Sequence, residues 1–183
     1  NNPYGHTSWV IDKNLYPEGH PYNWQVIGEL ADLQNATIDD VKEFYNNYYG
    51  PNNATLVLAG DFETEDAKAL IEKYFGEIKP KEEVAKLEPQ PVTLSETKRL
   101  FHEDNFATAP QLNMVWPTLQ QYTEDAYALD FLAELISSGK KAPLYQVLVK
   151  DKNLTSRTTA YNNSQELAGE FHIIITANNG VNL

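Results

Sequence analysis

The chain has 183 residues, 42% of them hydrophobic and none of them cysteine, a length suited to one compact domain or two small halves sharing a core. Its 14 basic residues stand against 26 acidic ones, a net charge of −12 that repels phosphate backbones and anionic lipid and so argues against nucleic-acid partners and membrane-surface docking. No apolar run approaches the ~18–20 residues that span a bilayer, no signal segment opens the chain, and without cysteine there is neither a disulfide nor a thiolate metal site.

In chain order, His6 to Leu15 carries Trp9, Val10, Ile11 and Leu15 at helical spacing, and Pro17 and Gly19 end that helix. Pro17 to Trp24 reads as a loop. Thr37 and Asp40 form a capping pair ahead of Ile38, Val41, Phe44 and Tyr48, which share one helix face until Gly50-Pro51 stops it. Ala54–Gly60 is an uncharged apolar run expected to form a buried central strand. Thr64 is expected to cap the next helix, whose stripe is Ala67, Leu70, Ile71, Tyr74 and Phe75, with Gly76 at its C-cap.

Glu77 to Pro91 holds three prolines and seven charges with little periodicity, so it reads as a linker. Two strands are expected beyond it, Thr97–His102 and Gln111–Trp116, the second ended by Pro117. Thr123 caps a helix running to Ser137, with apolar residues on more than one face. Pro143 opens another helix, bearing Leu144, Val147 and Leu148. The last expected strands are a half-exposed Thr155–Asn162 and a central Phe171–Ala177. Helices and strands mix without βαβ alternation, which predicts an α+β fold: a mixed, largely antiparallel sheet with helices packed on one face. Residues 1–183 are expected to form a single domain with a flexible linker near 77–91. The opening Asn1-Asn2-Pro3-Tyr4-Gly5 and the end just after a strand both read as cut ends, so the chain is expected to be a fragment of a larger one.

Chemistry-bearing patterns are sparse. The four histidines, His6, His20, His102 and His172, include no HExxH or HxxEH pair. His102-Glu103 resembles the first half of a zinc motif, but Asp104, Asn105 and Phe106 follow without a second histidine, so it reads as a strand end. His20, between Gly19 and Pro21, reads as an ordering hydrogen-bond donor of its loop. Ser137-Ser138-Gly139 lacks the G-x-S-x-G pattern and reads as a helix terminus, and no glycine-rich phosphate loop occurs. Sequons begin at Asn35, Asn53, Asn153 and Asn162 and in an Asn-rich chain read as coincidence.

Three separate segments carry a resemblance. Leu15-Tyr16-Pro17-Glu18-Gly19-His20-Pro21-Tyr22, then Tyr49-Gly50-Pro51-Asn52-Asn53-Ala54-Thr55-Leu56-Val57-Leu58-Ala59-Gly60-Asp61-Phe62, then Pro143-Leu144-Tyr145-Gln146-Val147-Leu148-Val149 together resemble the M16 zinc metallopeptidases (the pitrilysin, insulinase and mitochondrial processing peptidase family). The order of the segments fits the C-terminal, non-metal region of one half of such an enzyme, often called the inactive domain, in the M16/LuxS-like metallohydrolase type of fold. The resemblance implies a zinc site on an HxxEH helix and a later glutamate, all upstream of the His20 loop. It therefore implies no catalytic, cofactor-binding or metal-ligating residue here: no cofactor in this chain, and zinc in the intact parent. An Arg and a Tyr that contact substrate in the non-zinc half of such enzymes align with Val149 and Ser156. That departure implies the zinc-bearing half or, alternatively, a catalytically inactive paralogue serving as an interaction or structural subunit. The expected function is structural and peptide-confining, within a zinc metalloendopeptidase. The expected partners are an N-terminal zinc subdomain, a second M16 half and a peptide substrate, with self-association of the fragment. Neither a cytoplasmic nor a periplasmic location is singled out.

Overall fold

A computed structural model describes residues 2–182. The chain divides into two compact units, one of Asn1–Val26 with Leu87–Leu183 and the other Ile27–Lys86. The boundary between them at Lys86 falls inside the segment 77–91, which carries no helix or strand. The fold is α+β.

The first unit is organised by three antiparallel strands, β1 (Gln111–Thr118), β2 (Thr155–Ser164) and β3 (Gly169–Ala177), in the order β1-β3-β2. β3 is central, as its isoleucine run predicts. Its side chains alternate between the two faces. Phe171 pairs with Trp116 and Asn162, whereas His172 pairs with Val115 and Tyr161. Gly169 begins β3 where a Cβ would collide with the Leu119 carbonyl oxygen and the Thr118 hydroxyl, so the close return of the chain requires glycine. β1 runs through Pro117 rather than ending before it. Pro is tolerated there because β1 is an edge strand. β2 is irregular between Thr155 and Thr158, and the fully buried Thr155 hydroxyl bridges the irregularity by donating to the Thr176 carbonyl at 2.6 Å.

Helix α1 (Thr7–Leu15) starts where the Asp104 carboxylate accepts the Tyr4, Phe106 and Ala107 amides at 2.7, 2.7 and 3.0 Å. Ile11, Leu15 and Tyr16 pack with Val115 and Ala168, on the His172 side of the sheet. The other face receives a longer helix, Glu124–Ser137, whose Thr123 hydroxyl accepts the Ala126 amide at 3.2 Å as the capping signal predicts. Its Leu129, Ala133 and Ile136 meet Ala160, Phe171 and Ile173. Tyr127 and Phe131 of the same helix are exposed, so its apolar residues do occupy two faces. The helix opened by Pro143 differs from expectation. Over Tyr145–Asp151 it widens to π geometry, with the Lys152 amide bonding the Val147 carbonyl five residues back at 3.0 Å.

The second unit holds α2 (Leu30–Asn35), which no periodicity announced, α3 (Ile38–Tyr48) and α4 (Thr64–Phe75). With these numbered, the helix Glu124–Ser137 is α5. The Thr37 and Asp40 capping box forms in full, the Thr37 amide reaching Asp40 Oδ2 at 2.7 Å. Paired hydrogen bonds of 3.1 and 2.9 Å join Asn52, midway along this unit, to Lys81 near its C-terminal end. Three expectations fail here and beyond. Thr64 is the first helical residue of α4 and Glu63 takes the cap position without a side-chain bond. The runs 54–60 and 97–102 belong to no ladder among the described residues, because a strand exists only where another supplies N–H and C=O groups, and neither run meets one. Leu56, Val57 and Leu58 are accordingly exposed, as are Phe44 and Tyr48 on the apolar stripe of α3.

Candidate functional site

The most unusual chemistry in the chain lies where α1 meets the sheet. Glu170 and His172 are two apart on β3 and so share a face, and both are about as buried as the core, with 4% and 5% exposure. His172 Nε2 stands 2.7 Å from Glu170 Oε2. The Tyr161 ring stacks on the imidazole from β2 at 4.5 Å, with planes 6° apart. On α1, the half-buried Asp12 accepts the Gln25 side-chain amide on its Oδ2 at 2.7 Å. Burial first, and the Glu170 carboxylate second, push the Asp12 carboxyl up to about 6, while the Gln25 hydrogen bond and His172 pull the other way. The Tyr16 hydroxyl is enclosed and faces Glu170 without meeting hydrogen-bond geometry. Burial, then that carboxylate, hold its phenol far above the usual range. Tyr161 is raised as well, by burial and by Glu170.

The adjoining loop is held by side chains rather than by regular structure. Gly19 turns the chain at φ +89°. His20, 5% exposed, accepts the Tyr22 amide on Nδ1 and donates from Nε2 to the Gln90 carbonyl, each at 3.0 Å. Its ring stacks on Tyr16 at 4.6 Å, and the Leu167 amide donates to the Tyr22 hydroxyl at 3.0 Å. His20 is thus an ordering residue of its loop, with both nitrogens committed.

The residues present do not fit a zinc site. A zinc ligand needs a free nitrogen or carboxylate lone pair aimed at a shared point. His20 has no free nitrogen, and His172 is turned onto Glu170. His6 and His102 stand edge to face with ring centres 5.9 Å apart. Among the described residues no three of the potential ligand types converge on a point that could hold an ion. Ser137 behaves as a helix terminus, its hydroxyl bonded to the Ala133 and Ala160 carbonyls at 2.9 and 3.3 Å. Val149 lies half-buried in the wide-turned segment and Ser156 is exposed at the irregular start of β2, so neither supplies a group to the buried cluster. Of the sequon asparagines, the Asn162 amide donates to the Ala126 carbonyl and Asp130, and the Asn53 amide to the Tyr48 carbonyl.

Asp12, Glu170, His172 and Tyr161 were not singled out from the sequence. The available signal was the Glu-x-His alternation within β3, which marks one face of a strand without telling whether that face is covered. Beside this cluster, α1 and β1 flank a cavity of about 520 Å³, bounded by Val10, Ile11 and Leu15 on one side and Leu112 and Val115 on the other.

Residues 35–183 match the family described as the peptidase M16 inactive domain. The zinc protease PqqE of Helicobacter pylori is 31% identical over 151 residues, covering 78% of this chain and 33% of that protein. A crystal structure of a protease from Helicobacter pylori superposes with a TM-score of 0.72 at 26% identity, covering 98% of this chain and 44% of the other. A peptidase M16 inactive domain from Pseudomonas fluorescens gives a TM-score of 0.74 at 21% identity, a likeness of fold, covering 96% and 42%. The chain therefore spans about a third of the length of that curated relative, and under half of each of those solved chains.

Proposed function

Because this chain belongs to the peptidase M16 family, in the region described as its inactive domain, we propose that it is a non-catalytic, structural and peptide-confining part of a zinc metalloendopeptidase. The observation that carries this reading is the match of residues 35–183 to the inactive domain. The commitment of His20 and His172 to internal hydrogen bonds supports it. On this reading the 183 residues contribute no zinc ligand and no catalytic group. Zinc would then be held elsewhere in the parent, where it would polarise a scissile carbonyl while a glutamate activates water.

The exposed apolar surface supports packing against further parts of that peptidase, a zinc subdomain and a second half. In one unit Val57 is 79% exposed, and in the other Phe101 is 93% and Phe131 71% exposed. Taken alone, a chain with such surfaces is expected to self-associate. No helix among the described residues is long and apolar enough to cross a membrane.

Equilibrium dialysis with zinc and a quenched fluorescent peptide assay, run on this chain and on the intact peptidase, test the reading. The expected result is zinc binding and cleavage by the intact protein and neither by the chain. Stoichiometric tight zinc binding or metal-dependent turnover by the chain overturns it. An intact parent without zinc or activity points instead to a structural subunit of an inactive paralogue.

A further inference from the structure

We propose that Asn179 is a site of spontaneous covalent modification, its side chain cyclising onto the Gly180 nitrogen and hydrolysing to isoaspartate or aspartate. Asn179-Gly180 is the sole Asn-Gly pair in the sequence. It lies just past β3, in a turn closed by the Val181 amide donating to the Asn178 carbonyl at 3.1 Å. Gly180 stands at φ +78°, in the left-handed region that glycine enters without strain, and open space surrounds the position a Cβ would take. Both residues are exposed. Among the described residues, neither the Asn179 side chain nor the Gly180 amide makes a hydrogen bond, so nothing holds the nucleophile or the carbonyl it attacks.

The chemistry follows from that proximity. The Gly180 amide loses its proton to hydroxide and its nitrogen attacks Asn179 Cγ. A C–N bond forms, the former side-chain nitrogen leaves as ammonia, and a five-membered succinimide remains. One water then opens the ring. Addition at the side-chain carbonyl gives aspartate, and addition at the backbone carbonyl gives isoaspartate, whose main chain runs through the former side chain. In sum one water is consumed and one ammonia released, with no change of oxidation state. Neighbouring asparagines lack these conditions. The Asn178 side-chain amide donates to the Asn153 carbonyl and to Asn153 Oδ1 at 3.0 and 3.2 Å. Asn163 is exposed, but it is held in the ladder opposite Glu170 and precedes Ser164, whose Cβ obstructs the approach. The product adds a carboxylate to a chain already at −12. As isoaspartate it also lengthens the backbone beside the Asn178 amide, which ties the exit of β3 to the Leu154 carbonyl at 2.8 Å.

Incubation of the whole chain in mildly alkaline and in mildly acidic buffer tests the site. Trypsin then cuts after Arg157 to free residues 158–183, and fragment masses locate any exchange of NH for oxygen. The exchange should appear at Asn179, faster in the alkaline buffer and with isoaspartate in excess, while Asn163 stays unchanged. The Asn179→Gln variant should lose it. An unmodified Asn179, an exchange at Asn163 or Asn178 instead, or aspartate without isoaspartate overturns the proposal, since the last outcome means direct hydrolysis without ring closure. The unaltered chain supplies these readouts by itself, so a variant that misfolds leaves the test standing.

Discussion

The Tyr16 hydroxyl faces the Glu170 carboxylate across the junction of α1 and the sheet, and no hydrogen bond joins them. Tyr16 is 3% exposed, so water reaches that hydroxyl as little as the carboxylate does. A buried donor left without a partner costs about 1–3 kcal/mol, whereas the ring alone keeps its stacking on His20. Tyr16→Phe should therefore leave stability unchanged or raise it by about 1 kcal/mol, a gain of about 2–4 °C in a melt at this chain length. A loss of more than about 1 kcal/mol would show instead that the hydroxyl holds a bond in solution.

Two phenylalanines on opposite sides of one packing layer should separate cleanly. Phe171 is 6% exposed and touches α5 through the Ala133 cluster, so Phe171→Ala leaves a void and is expected to cost about 3–5 kcal/mol. Phe131 sits on the outward face of α5 at 71% exposure, and Phe131→Ala is expected to stay within about 0.5 kcal/mol. Urea unfolding of both variants measures the contrast. Equal costs would mean that α5 is covered on both sides in solution.

What could be read from the residues was whatever is settled within a few positions. The Thr37–Asp40 box, the Thr123 cap, the opening turn at Pro143 and the isoleucine run of β3 are local signals, and each forms in the structure. The M16 resemblance was also legible, because the His20 loop and the Tyr49–Phe62 segment are long enough to be specific. Strand pairing was not. Ala54–Gly60 has the composition of a central strand, but composition does not supply the neighbouring backbone that makes a ladder, and none is present among the described residues. The buried cluster was hidden for a related reason. Asp12 and Glu170 lie near opposite ends of the chain, and only the register Val115↔His172↔Tyr161 and the seating of α1 bring them together.

The segment 77–91 is proposed to be a linker, and the second unit sharpens where it should be cut. Lys79 precedes Pro80 and resists trypsin. Lys81 is held by its paired bonds with Asn52, and its ammonium donates to the Tyr45 carbonyl at 3.1 Å while lying 4.6 Å from the centre of the Tyr45 ring. Lys86 is exposed and carries no such tie. Limited digestion should cut after Lys86 before Lys81, read by intact-mass spectrometry. An Asn52→Ala variant should speed the cut at Lys81, and first cleavage within Phe171–Ala177 would contradict the arrangement.

Helix α3 offers a test that joins sequence, cap and pH. Thr37 and Asp40 satisfy one another's backbone amides, and the Asp40 carboxyl also accepts the Thr37 hydroxyl at 2.7 Å. Those bonds, the side-chain one first and the backbone one second, hold the Asp40 carboxyl below its ordinary 3.8. A folded value below the unfolded one means that the ionised carboxylate favours the helix above 3.8 and loses that effect as the pH falls through the lower folded value. Thr37→Ala removes the hydroxyl that anchors the box and is expected to cost about 1 kcal/mol near pH 7. Because part of that cost is the lost bond to an ionised Asp40, the difference between variant and unaltered chain should shrink as the pH is lowered below 3.8. Hydrogen exchange of the amides at 40–42, compared at pH 7 and at the lowest pH where the chain stays folded, reads the difference directly. A gap between the two proteins that is the same at both values would place the whole effect in the Thr37 hydroxyl and its amide partner, and none in the Asp40 charge.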